Sequence, residues 1–241
     1  MRLAELHSWD LSVRDAFEVQ QRLAQEVSLR DDLPAQPSLI AGLDLSPPDS
    51  SGVAKGAAVV VAYPSLEIRE IAVAERKVTF PYVPGLLAFR EAPALLAALE
   101  GISLTPDLIF VDGQGRAHPR RFGIACHIGL LAQVPTIGCA KSILVGKSSV
   151  LEREAGSSAP LIDQGEVVGA AVRTRTGISP VYVSVGHRIS LEAAITWTLR
   201  ACKGYRLPEP TRLAHLAAAG ALKPYKHGQK LYAQLPSQET V

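Results

Sequence analysis

The order in which strand-like and helix-like runs follow one another constrains this chain more than any single motif. Three strand-like runs come first, Ser38–Leu45, Gly56–Tyr63 and Leu66–Ala74, divided by the breakers PPDSSG and YPS as in an antiparallel meander. A helix is expected at about Leu86–Leu99 and a buried strand at Leu108–Val111. A second helix fits Arg121–Gln133, and a short strand fits Thr136–Cys139. The resulting order, β-β-β-α-β-α-β, predicts an α/β fold with a mixed sheet and helices on its faces. Upstream, residues 14–32 space Phe17, Val19, Leu23, Val27 and Leu29 as a helix does, before the stop at Pro34 and Pro37. Downstream, Leu161–Val185 adds strands (EVVGAAVRT, PVYVSV). Helices at about Leu191–Cys202 and Glu209–Ala219 close the chain, Ser190 capping the first and Glu192 favouring its dipole.

At 241 residues the chain suits one domain over residues 1–241, with a polar C-terminal tail (SQETV) expected to fray. Three cysteines, Cys126, Cys139 and Cys202, are too few and too scattered for a disulfide framework or a metal knuckle, which points to a reducing cytoplasm. Cys126 and Cys139 are expected to be packing residues. The start, MRLAELHSWDLSVRDAFEVQ, carries charges throughout and shows no signal-peptide core, and no run has the length of a membrane span. Net charge is only +2, but its distribution is uneven. Residues 1–112 hold 9 Lys+Arg against 16 Asp+Glu, and residues 113–241 hold 16 against 7. The split fits a polyanion-binding face beside an acidic centre, or two halves that intermix in space.

Three carboxylates stand out. Strand alternation puts Asp44 on one face with Gly42 and opposite Leu43 and Leu45. Asp112 ends the run LIFVD and is followed by Gly113, a frequent ligand position at the carboxyl end of a strand in α/β sheets. Glu91 falls early in a helix that follows a proline-rich turn. Brought together, the three would repel one another unless a hard divalent cation took their oxygens. Otherwise Asp44 and Asp112 are strand-end caps and Glu91 is a solvated first-turn acid.

Residues 109–128, IFVDGQGRAHPRRFGIACHI, resemble the signature of the endonuclease V family. Further blocks in the family's order are AGLDLS (41–46), FPYVPGLLAFRE (80–91), TIGCAKSIL (136–144), SVGHRISLEAA (184–194) and KGYRLPEPTRLAH (203–215). Together they cover most of the chain from residue 38 to residue 219. The resemblance implies a ribonuclease H-like fold, in keeping with the order of elements. It also implies an enzyme that cuts DNA at the second phosphodiester 3′ to a deoxyinosine, leaving a 3′-hydroxyl and a 5′-phosphate, with Mg²⁺ or Mn²⁺. By the same resemblance Asp44, Glu91, Asp112 and His215 carry over as metal-site residues, and Lys141 as a catalytic cation near the scissile phosphate. Tyr82, stiffened by Pro81 and Pro84, looks like a wedge for a base stack. Pro84, Gly85, Leu87, Gly113 and His118 complete the substrate-DNA set, the two glycines allowing close backbone approach to a flipped base.

Arg120 and Arg121 either contact base or phosphate or sit in solvent at a helix start. His187 reads as structural, in a strand-to-helix turn. Pro47-Pro48, Arg116, Cys126 and Cys139 depart from the family pattern without touching a proposed ligand. The competing readings are an inosine-specific ribonuclease and a non-catalytic nucleic-acid-binding relative. DNA carrying deaminated bases is the expected partner, with no membrane and a monomeric state.

Overall fold

The structure, a computed structural model, describes Met1 and residues 3–226, so the fraying expected of the C-terminal tail lies outside the described residues. Among the described residues five helices and nine strands follow one another: α1 (Val13–Ala24), β1 (Leu39–Leu45), β2 (Val53–Ala62), β3 (Glu67–Lys77), α2 (Leu87–Glu100), β4 (Leu108–Val111), α3 (Ile124–Ala132), β5 (Thr136–Ala140), β6 (Lys147–Ser148), β7 (Ser158–Asp163), β8 (Glu166–Val172), β9 (Val181–His187), α4 (Leu191–Arg200) and α5 (Glu209–Ala218). The strands form a mixed sheet ordered β3-β2-β1-β4-β5-β9-β8-β7-β6. The first three make the expected antiparallel meander, and β1, β4 and β5 run parallel to one another. This is the α/β architecture the element order predicts.

Alternation along each strand feeds two cores. Ile40, Val59, Leu108 and Phe110 face α4 and α5, while Ala41, Leu43, Val60, Ile109 and Val111 face α2 and α3. Full burial of side chains such as Phe110 and Leu43 stabilises the fold by about 1.5–3 kcal/mol each. Among the described residues no helix is long and apolar enough to cross a membrane.

Two helices are shorter than their apolar spacing suggests, and both are cut by tertiary bonds. α1 stops at Ala24, because Ser28 N–H donates to His187 Nδ1 while the Ser28 carbonyl accepts from Arg188 N–H. Asp32 N–H reaches the Arg188 carbonyl, and the chain leaves the helix to meet the end of β9. α3 begins at Ile124 rather than Arg121. Arg121 takes a left-handed φ of 57°, and the preceding loop is tied down by Arg116 N–H to the Val185 carbonyl and Gly123 N–H to the Gly115 carbonyl. Ser190 caps α4 as expected, accepting from Ala193 N–H at 3.1 Å.

Candidate active site

Parallel pairing assembles the acidic centre. In the β1–β4 register Leu43 lies beside Val111, so Asp44 and Asp112 leave neighbouring strands at the same end, with Asp112 N–H donating to the Leu43 carbonyl at 3.0 Å. Val111 lies beside Gly138 of β5, which carries Lys141 to the same edge just beyond its last residue. The Lys141 ammonium donates to Asp112 Oδ2.

His215 arrives on α5, and a glycine makes this possible. A Cβ on Gly42 would lie 2.0 Å from the Pro210 carbonyl oxygen, so only a bare strand lets α5 settle onto β1. His215 Nδ1–H then donates to Asp44 Oδ2 at 2.8 Å, and Leu45 N–H donates to Oδ1 at 2.8 Å. Glu91 comes from α2, on the opposite face of the sheet.

The electrostatics show that these groups feel one another. Burial, then the charge of Asp112, holds Asp44 above the usual carboxylate range against the lowering pull of His215 and Lys141. Burial, then the charges of Asp44 and Asp112, pushes Glu91 up to about 7. Glu91 is half-buried rather than fully solvated. Burial works against the Lys141 ammonium, but its bond to Asp112 and the nearby carboxylate charges hold it above its ordinary value. The three carboxylates are hard donors and the imidazole a borderline one, and the surplus negative charge of the carboxylates is what a divalent cation relieves. As they stand, Asp112 is tied to Lys141 and Asp44 to His215, and among the described residues no three His, Cys, Asp or Glu side chains form a ready ligand group.

Beside this centre opens a cavity of about 360 Å³. All six residues expected to meet DNA line it: Tyr82, Pro84, Gly85, Leu87, Gly113 and His118. Glu91, Asp112 and Lys141 line it too, whereas Asp44 and His215 do not. The Tyr82 ring is 72% exposed and is not packed under its loop. Gly85 has a left-handed φ of 79°. His118 is buried, donates from Nε2 to the Gly85 carbonyl at 3.0 Å, and accepts at Nδ1 from Arg120 N–H. Burial, then the Arg120 charge, pushes it down to about 4, so its imidazole is neutral.

The two arginines of uncertain role both have protein partners. Arg121 pairs with Asp163 and Glu166, and Arg120 turns toward α1 and Gly85. His187 closes β9 and is buried, with Nδ1 accepting from Ser28 N–H. Cys126 and Cys139 are fully buried. The sequence reading missed Gln20, Gln114, Ile143 and Leu144, which also line the cavity. Gln114, Ile143 and Leu144 lie within the quoted motifs DGQG and TIGCAKSIL, whereas Gln20 lies in none of them.

The family model for endonuclease V matches residues 21–216. An endonuclease V from Gloeobacter violaceus is 52% identical over 213 residues, covering 87% of this chain and 86% of its own length. Among solved structures, the endonuclease V of Streptomyces avermitilis superposes with a TM-score of 0.83 at 43% identity, covering 89% of this chain and 94% of that one. The endonuclease V of Ciona intestinalis, solved with a 24mer DNA containing an inosine followed by a ribo-adenosine, gives a TM-score of 0.74 at 26% identity and covers 86% and 96%.

Proposed function

This chain belongs to the endonuclease V family, and from that premise we propose that it is a nuclease directed at deaminated bases in DNA. In this reading it hydrolyses the second phosphodiester bond 3′ to a deoxyinosine, leaving a 3′-hydroxyl and a 5′-phosphate, with Mg²⁺ or Mn²⁺. One observation carries the reading. The six residues expected to meet DNA and three of the five expected to be catalytic line a single cavity, with an exposed tyrosine among them.

Asp44, Glu91, Asp112 and His215 would hold the cation, which when bound supplies a Lewis acid to the phosphate and the attacking water. The chain's own groups do the rest. Lys141 adds positive charge at the strand ends, which favours a phosphate there and offsets charge developing on it. Tyr82 offers a flat ring to the gap left by a flipped nucleotide, and Pro81 and Pro84 reduce the entropy lost when its loop docks. Gly85 and Gly113 bring backbone close to the flipped base. Neutral His118 braces the Gly85 turn without adding charge.

Hypoxanthine lacks the 2-amino group of guanine and carries an oxygen where adenine carries an amine, so a close-fitting pocket would prefer it to both. An inosine also leaves the stack more readily than a well-paired guanine. We favour DNA rather than RNA as the substrate, and the 24mer DNA bound to the Ciona relative, with an inosine followed by a ribo-adenosine, supports inosine as the base.

The test is incubation of the pure protein with matched oligonucleotides carrying deoxyinosine, deoxyguanosine, deoxyuridine or riboinosine, with Mg²⁺ and with a chelator. Cleavage of the deoxyinosine strand only when Mg²⁺ is present is expected, with weaker activity on deoxyuridine. A faster rate on riboinosine in single-stranded RNA would reassign the substrate to RNA, and indifference between inosine and guanine would remove the pocket argument.

A further inference from the structure

Gln20 belongs to α1, an element the proposed chemistry does not use, yet its side chain is fully buried and ends at the cavity. Its Nε2 donates to the Gly85 carbonyl at 3.0 Å and to the Phe122 carbonyl at 2.7 Å, and its Oε1 accepts from the Arg120 guanidinium. The same guanidinium donates to the Gly85 carbonyl at 2.8 Å and lies 4.4 Å over the ring of Phe17, also on α1. With His118 Nε2–H at 3.0 Å, the Gly85 carbonyl accepts from three donors, which more than fills its two lone pairs. Gly85 sits near the end of the loop that carries Tyr82 to the cavity, two residues before α2 begins. Its peptide cannot turn without breaking three bonds, two of them to side chains that also hold each other.

A saturated carbonyl offers the cavity no acceptor. A base that presents an amine needs an acceptor, and one that presents an oxygen does not, because an unpaired polar group in a desolvated pocket costs binding. We infer that Gln20 is a positioning and specificity-determining residue. Through its own amide and by anchoring Arg120 it keeps the Gly85 carbonyl engaged inside the protein, so that the loop discriminates against a flipped adenine and favours the 6-oxo base. The inference rests on the reading of the cavity as the pocket for a deaminated base.

The experiment measures binding of the full chain to matched oligonucleotides with inosine or adenine at one position, by fluorescence anisotropy in chelator, together with kcat and KM on the inosine strand in Mg²⁺. Gln20→Met removes every bond. Gln20→Glu keeps an acceptor for Arg120 and loses both donors to carbonyls. Gln20→Met, which also takes away the anchor of Arg120, is expected to lower the inosine-to-adenine affinity ratio by about fivefold to tenfold, the worth of one hydrogen bond of about 1–1.4 kcal/mol, whereas Gln20→Glu, which leaves Arg120 and His118 on the Gly85 carbonyl, is expected to keep the ratio within about twofold. KM on inosine should rise while kcat at saturation stays within about twofold.

An unchanged ratio in Gln20→Met, or equal weakening on both oligonucleotides together with a lowered melting temperature, overturns the inference and leaves Gln20 a packing residue. If Gln20→Met is not recovered folded, Gln20→Glu decides alone, and a ratio that falls there although the Gly85 carbonyl stays filled overturns the inference. A wild-type chain that does not prefer inosine to adenine would remove the functional reading itself, and this inference with it.

Discussion

Asp112 is held by Lys141 on one side and shares its surroundings with the charges of Asp44 and Glu91. Asp112→Ala is expected to reduce cleavage to background while DNA binding is kept or tightened, because a negative charge leaves the phosphate's path. Near-normal turnover of this variant in Mg²⁺ would remove Asp112 from the proposed chemistry. Tyr82 acts through its exposed ring instead. Tyr82→Ala should weaken binding to inosine DNA by about 1–3 kcal/mol, the range for base–aromatic stacking. The melting temperature should hold, since little of the ring is buried. Equal loss on undamaged DNA, read by the same titration, would make Tyr82 a general contact. Residues such as these were legible because each sits in a motif. Gln20 was not: its partners, Gly85, Arg120 and Phe122, lie 65 to 102 positions away, and nothing local marks a glutamine as a bracket.

Element ends are where local pattern and tertiary bonding disagree. The spacing of Val27 and Leu29 continues a helix, but the backbone of residues 28–32 gains more by bonding to residues 187 and 188. β6, two residues long, has no pattern of its own and exists because Lys147 and Ser148 meet Ile162 and Leu161 of β7. Glu70 of β3 is buried and accepts from Ser103 N–H, the Ser103 hydroxyl and Leu104 N–H just past α2. The seat of α5 depends on a side chain that is missing. Gly42→Ala would drive a methyl into the Pro210 carbonyl, lift α5 from β1 and carry His215 away from Asp44. We expect a loss of about 1–3 kcal/mol in unfolding free energy, as for overpacked cores, with a fall in cleavage rate at temperatures where the variant is still folded. An unchanged urea midpoint would show that α5 can shift at no cost.

Across the whole molecule, buried neutral histidines set how the fold responds to acid. Burial pushes His127 down to about 3, and burial with neighbouring charge pushes His118 and His187 down to about 4, each from 6.5. Such groups take up protons first in the unfolded chain, so their contribution is complete above about pH 6.5 and drains away as pH falls toward the folded values. Glu91, raised to about 7 from 4.5, and Asp44, also raised by burial, work in the opposite direction, while His7, lowered by burial, works with the three histidines. Unfolding free energy should therefore fall between pH 6 and pH 5, with a net slope on the order of 1–3 kcal/mol per pH unit. Urea midpoints at pH 7.5, 6 and 5 test this, and a midpoint that does not fall from pH 6 to pH 5 contradicts it. The charge asymmetry also has a counterpart in the sheet. The acidic first half of the chain supplies β3, β2, β1 and β4, the basic second half supplies β5 to β9, and Asp112 meets Lys141 where the two join.

Local chemistry was enough to order the elements, to put Asp44 and Gly42 on one face of β1, to end β4 at an aspartate and to stiffen the Tyr82 loop with prolines. Each of these follows from periodicity, breakers or a motif within some twenty residues. Neighbour relations were decided only in the folded molecule. The parallel pairing of β1 with β4 and of β4 with β5 puts Asp44, Asp112 and Lys141 side by side. The packing of α5 over Gly42 delivers His215 from 171 residues away. The reason is that alternation tells which way a side chain points from its own strand, while strand order and register are set by long-range hydrogen bonding and core packing, whose cost and gain appear only when distant segments meet.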